Sequence, residues 1–258
     1  MQESTVQETT IQDSTILGHP VVSQQEWLEA RRALLAQEKE ATHLRDELNR
    51  QRMALPWVKV DKEYVFDTPD GQKTLAELFD GRSQLIVYHF MLGPGWAAGC
   101  PGCSFLSDHV DGALPHLEHH DVTYTAVSRA PLAEIAAYKK RMGWRFPWVS
   151  AFGSDFNYDY GVSFREEDAG KAAYNFGTLP APQGKDNTEE PGLSVFFKDE
   201  AGNVFHTYSS YARGPEELIG TLMILDRAPL GRNEQKTMSF VRRHDEYENA
   251  PKAHACCE

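Results

Sequence analysis

The residues with the most chemistry to offer are Cys100-Pro101-Gly102-Cys103. They follow a near-continuous apolar run, Gln84 to Leu92, and a Gly-rich loop, Gly93 to Gly99. A run of that kind suits a central strand buried on both faces. After Cys103 the pattern predicts a helix to about Leu117, bent near Gly112 and Pro115. A helix start offers unpaired N–H groups and a favourable dipole, which stabilise a thiolate and lower its pKa. A spacing of three residues puts the second thiol within one turn, where it can resolve a mixed disulfide. Cys100, nearer the loop, reads as the attacking thiol, and Cys103, deeper, as the resolving one. Pro101 helps fix the turn and is well tolerated early in a helix. The expected partners are a thiol or disulfide substrate and a thiol reductant. Two other readings of the pair are inert buried thiols and half of a zinc site. A structural zinc site wants four ligands, and the remaining cysteines are Cys256 and Cys257, with His254 beside them. Those two could pass electrons to the first pair, bind a soft metal, or be incidental.

Other side chains have roles to weigh. His89 lies in the apolar run: it is either a satisfied core histidine or, if aimed at the strand end near Cys100, a group that tunes the thiolate. Arg129 follows a strand ending at Ser128, where open α/β sheets place ligands, and could bind an anionic group or the thiolate. Trp96, Trp144 and Trp148, with Tyr158 and Tyr160, are core or part of a pocket wall beside Cys100. His116, His119 and His120 share a helix face, yet no zinc-protease pattern fits them, so no metal site is expected. Asp108-His109 reads as solvated polarity.

The elements that must position these residues can be followed along the 258 residues. Residues 1–18 are rich in Gln, Glu, Ser and Thr and predict a disordered tail. They lack the basic start and apolar stretch of a signal peptide, so a cytoplasmic location is expected. Ser23-Gln24-Gln25-Glu26 is a capping box opening a helix over roughly 24–54, within an extension spanning 19–56. Trp27, Leu34, Ala41 and Leu48 recur every seven residues, with Gln37 and Gln51 interrupting the seam. Such a stripe needs something to lie against: its own domain, or a second copy in a homodimer. Residues 57–229 read as strand, strand, Cys-x-x-Cys helix, strand, helix, strand, long connection, hairpin, helix, which is a three-layer α/β sheet domain. A short helix is expected over Thr74–Phe79, a strand over Phe146–Phe152, and a last helix over Pro215–Leu225. Residues 230–258 are polar and read as a loose tail.

Composition narrows the function. Lys plus Arg is 26 against 38 Asp plus Glu, a net charge of −12, which disfavours nucleic acid and anionic membranes as partners. No apolar run approaches the length of a membrane span. No Gly-rich nucleotide motif is present, so no bound NAD or flavin is expected.

Several motifs in order carry a resemblance: Leu85-Ile86-Val87-Tyr88-His89-Phe90-Met91, Gly99-Cys100-Pro101-Gly102-Cys103-Ser104, Val127-Ser128-Arg129-Ala130-Pro131-Leu132, Arg141-Met142-Gly143-Trp144, Pro147-Trp148-Val149-Ser150 and Pro191-Gly192-Leu193-Ser194-Val195-Phe196. Over about residues 18–235 the chain resembles the DUF899 family of thioredoxin-like proteins. The resemblance implies a thioredoxin-like fold and the family's label of predicted dithiol-disulfide oxidoreductase. Departures from thioredoxin itself are plain. Gly99, not Trp, precedes the first Cys; the intervening dipeptide is Pro-Gly; the buried Asp position falls on Pro94; and the cis-Pro would fall near Pro191. Residues 122–162 also resemble peroxiredoxin, which adds peroxiredoxin-like extra elements to the expected fold. Ala97 and Gly93, however, stand where a peroxidatic loop needs a hydroxyl and a Pro. The leading expectation is therefore a thiol-disulfide oxidoreductase. The alternatives are a redox-inert ligand-binding or assembly protein on the same fold, and a peroxiredoxin-like peroxidase.

Overall fold

Ser23 begins the first long element by the expected reciprocal cap. Its backbone N–H donates to the Glu26 carboxylate at 2.9 Å, and its hydroxyl accepts from the Glu26 N–H at 3.3 Å. The computed structural model describes residues 15–165, 172–182 and 188–248. The chain divides into two units after Leu55. In the first, β1 (Thr15–Ile16) and β2 (His19–Pro20) form a hairpin that turns at Leu17 and Gly18, both at positive φ. Residues 15–18, expected to be disordered, thus have a local structure, while 1–14 lie outside the described residues. Helix α1 (Gln24–Met53) follows, and none of its residues is buried.

The second unit is built on one eight-stranded sheet. In chain order its elements are β3 (Val58–Lys59), β4 (Val65–Thr68), β5 (Gly71–Thr74), β6 (Gln84–His89), α2 (Pro101–Val110), α3 (Leu114–His119), β7 (Val122–Ser128), α4 (Leu132–Met142), β8 (Trp148–Ser150), α5 (Phe156–Asp159), β9 (Ala173–Tyr174), β10 (Leu179–Pro180), β11 (Gly192–Lys198), β12 (Val204–Tyr211) and α6 (Gly220–Leu225). The order across the sheet is β3-β12-β11-β6-β7-β8-β4-β5. Strands β6, β7 and β8 are parallel, and β11 runs antiparallel beside β6. The segment β6-α2-β7, then β11-β12-α6, with spatial order β12-β11-β6-β7, is the thioredoxin-like core. Strand β8 and the β4-β5 hairpin extend it.

Period-two alternation divides the core between the two faces of β6. Tyr88 and Phe90 face the layer holding α2, α4 and α6, together with Leu106, Ile135 and Leu222. Leu85 and Val87 face the other layer, where Tyr64, Phe66, Phe79 and Phe156 cover the sheet. Helix α4 stops where Gly143 takes φ 70°, the left-handed conformation that a Gly cap adopts without strain.

Several elements differ from expectation. The Thr74–Phe79 helix is only a 3-10 turn, Glu77–Phe79, because Thr74 closes β5 and holds the Glu77 carboxylate. The Phe146–Phe152 strand shortens to β8. The last helix breaks at Ile219 into a 3-10 segment, Gly214–Leu218, and α6. The connection before β11 contains the β9-β10 hairpin. The largest correction concerns the C-terminal tail. Residues 232–248 are not loose: Val241 is buried in the α2 layer, and Met238 and Phe240 pack on it. Sequence polarity hid this, because three apolar side chains are enough to dock a segment otherwise held by ion pairs.

Candidate functional site: a thiol pair at a helix start

Cys100 is the N-cap of α2, Pro101 is its first residue, and Cys103 lies in the first turn. The loop is fixed from both sides. The Cys100 N–H donates to the Met91 carbonyl at 3.1 Å, tying the loop to the end of the central strand. The Ser104 N–H and hydroxyl both donate to the Cys100 carbonyl, at 3.0 and 2.8 Å. Gly99 is required by packing: a Cβ there would stand 2.5 Å from the Phe90 ring and 2.8 Å from the Tyr138 ring. This is the physical reason that no larger residue precedes the first thiol.

The two thiols are free and occupy different environments. Cys100 is partly exposed, whereas Cys103 is 1% exposed. The Cys103 side chain hydrogen-bonds Cys100 and, against the opposing effect of burial, the first-turn N–H groups of Cys103 and Gly102 and the Arg243 cation bring the Cys100 thiol down from 9 to about 6. Burial, and then the adjacent Cys100, push Cys103 well above its ordinary value. The Tyr88 hydroxyl and the Met91 N–H hydrogen-bond the Cys103 sulfur. One thiol is thus ionised near neutral pH and reachable, and its neighbour is protonated and sheltered.

Arg243 comes from the C-terminal segment. Its guanidinium donates to the Gly99 carbonyl at 2.6 and 3.0 Å and to the Tyr138 hydroxyl at 3.0 Å. Tyr138 in turn bonds Ser104 at 2.8 Å, completing a chain back to the Cys100 carbonyl. The segment is anchored by Arg141 with Asp245 and Glu246 and by His244 with Asp108, at 2.7 to 3.0 Å. Asp108 also accepts from the Trp144 indole at 2.8 Å, so it clamps this segment rather than simply facing solvent.

The other sequence candidates are dispersed. Pro101 sits between the thiols, and Trp96 lies partly buried on the same core layer. His89 is 1% exposed on the opposite sheet face, stacked on Phe156 and bonded to Asn157 at 3.1 Å and Ser194 at 2.9 Å. Burial lowers its pKa to about 4, so it is a neutral core histidine. Arg129 gives its guanidinium to buried Glu189, Tyr158 and Thr188, and so staples the connection before β11 to the sheet. Trp144 and Trp148 are buried around Phe90. His116, His119 and His120 are exposed. Pro191 is trans. Cys256 and Cys257 lie outside the described residues. Arg243, Tyr138 and Tyr88 went unseen in the sequence. The only trace of the first was the Met238-Phe240-Val241 apolar trio just before it.

No curated protein matches the sequence. Among solved structures, peroxiredoxin Q from Xanthomonas campestris is 16% identical with a TM-score of 0.42, over 62% of this chain and 90% of that one. Peroxidoxin BcpB from Mycobacterium tuberculosis is 14% identical with a TM-score of 0.43, over 66% and 97%. The mitochondrial 2-cys peroxiredoxin from Plasmodium falciparum is 14% identical with a TM-score of 0.39, over 66% and 94%. No helix among the described residues is long and apolar enough to cross a membrane. The family model described as "Bacterial protein of unknown function (DUF899)" matches residues 17–247. That range includes the thiol loop, the sheet beneath it and the segment bearing Arg243, and the chain belongs to the DUF899 family.

Proposed function

We propose that this protein is a thiol-disulfide oxidoreductase working through Cys100 and Cys103. The observation that carries the reading is the placement of the two thiols, Cys100 partly exposed at the N-cap of α2 and Cys103 buried in its first turn, an arrangement that favours the thiolate on Cys100 and the thiol on Cys103. The Cys100 thiolate attacks a substrate disulfide, a Cys100–substrate disulfide forms, and one substrate sulfur leaves as a thiol after taking a proton. Cys103 then gives its proton to the second departing sulfur and bonds to Cys100. The substrate has gained two electrons and the protein holds a Cys100–Cys103 disulfide, which an external thiol reductant reopens.

The test is equilibration with glutathione buffers, followed by mass, in a Cys256→Ala, Cys257→Ala background. A reversible two-thiol couple between about −120 and −270 mV supports the reading and gives its direction. A pair that stays reduced, or that locks as an unreactive disulfide, defeats it and favours a redox-inert role for the fold.

A further inference from the structure

The cycle has one step that burial opposes. When Cys103 attacks the mixed disulfide, its sulfur acquires negative charge at a site that is 1% exposed. An anion there is costly unless hydrogen-bond donors already point at it. In the resting pair the Cys103 thiol hydrogen-bonds Cys100, but Cys100 is occupied once it carries substrate.

Resting on the oxidoreductase reading, we propose that Tyr88 is a catalytic residue of the resolving step, its hydroxyl donating to the Cys103 sulfur as charge develops there. Tyr88 is on β6, 2% exposed, on the sheet face beneath α2. Tyr88 and Cys103, the latter 1% exposed, pack in one buried cluster, which sets the Tyr88 hydroxyl on the Cys103 side with the Met91 N–H as the second donor. Burial, with Cys103 close by, holds the tyrosine well above its ordinary range, so it remains a donor throughout. The proton released by Cys103 goes to the departing substrate sulfur, and Tyr88 keeps its own. The neighbourhood supplies an internal control. Tyr124 is buried in the same cluster, but the polar group its hydroxyl faces is Ser107 rather than the Cys103 sulfur. Tyr124 therefore offers the same chemistry without the contact to sulfur.

The experiment is stopped-flow reaction of the reduced full-length protein, carrying Cys256→Ala and Cys257→Ala, with 5,5′-dithiobis(2-nitrobenzoate). One thionitrobenzoate is released by Cys100 attack and a second by Cys103 resolution. Tyr88→Phe is expected to leave the first phase and its pH midpoint unchanged and to slow the second about tenfold or more, the effect of losing a hydrogen bond to a developing charge. Tyr124→Phe is expected to change neither phase. Should Tyr88→Phe fold poorly, 3-fluorotyrosine introduced at position 88 keeps the ring and makes a stronger donor, and the second phase then quickens. An unchanged second phase in either Tyr88 variant, or equal slowing by Tyr124→Phe, overturns the role of Tyr88 alone. A parent protein that never releases a second equivalent overturns the oxidoreductase reading and this inference with it.

Discussion

Arg243 sets a permanent cation behind a thiol already favoured by the first-turn N–H groups of α2. Arg243→Met removes the charge while retaining much of the stem. The Cys100 alkylation midpoint should then rise above 6, and iodoacetamide labelling at pH 6.5 should slow severalfold, read by mass. An unmoved midpoint would assign the acidity to the helix start and Cys103 alone. His89 makes a prediction of a different kind. Its folded pKa, about 4, lies below the usual 6.5, so between those values the unfolded chain binds more protons. Stability from this group is fully present above pH 6.5 and is lost as pH falls toward 4. Unfolding free energy from urea titration should be lower at pH 5 than at pH 7 by about 2 kcal/mol through His89, with His206 shifted in the same direction. His89→Gln should flatten that dependence. If it leaves the slope intact, other groups control it.

The elements explain why neighbours in sequence have unrelated fates. Tyr88 and His89 are adjacent on β6, yet alternation sends Tyr88 toward α2 and His89 to the opposite layer. The apolar run announced a buried strand. It could not say which face its polar members took, because face is decided by register against β7 and β11. The loop between β6 and α2 is equally constrained. Gly99→Ala would force a methyl against Phe90 and Tyr138 and is expected to cost about 1–3 kcal/mol, measured by chemical unfolding. A cost near zero would show that the two rings can move aside. Helix α4 was legible because its Pro start, Gly stop and apolar spacing agree locally, whereas α2 was legible at its start only: the helix expected to about Leu117 ends at Val110 and gives way to a 3-10 turn, Asp111–Ala113, and α3. The 3-10 turn at Glu77–Phe79 was not, because Thr74 was taken by a strand pairing with Val65.

At the scale of the whole molecule, the second unit is finished by residues that look dispensable in sequence. Met238, Phe240 and Val241 cover the α2 layer, and the Arg141 ion pairs and the His244–Asp108 hydrogen bond hold the segment in place. A chain ending at Glu248 is the reference for thermal midpoint and Cys100 reactivity. A chain ending at Leu230 should lose roughly 5 °C or more and raise the Cys100 midpoint, because it lacks both the apolar cover and Arg243. Differential scanning fluorimetry with alkylation at several pH values reads both. Equal behaviour of the two chains would mean that the segment contributes neither.

By itself the sequence determined what local chemistry determines. The Cys-x-x-Cys spacing, the helix start at it, the apolar central strand and the strand-helix order of a three-layer α/β sheet are all local patterns in the chain, and the thioredoxin-like form of that sheet is what the family resemblance implied. Tertiary structure decided everything that depends on partners distant in the chain. Arg243 stands over a loop 144 residues earlier, Arg129 is taken by Glu189 sixty residues later, and Tyr88 rather than His89 meets the thiols. Spacing cannot show such pairings, because hydrogen bonds and charge act over a few ångströms in space, and only the folded sheet brings those residues that close.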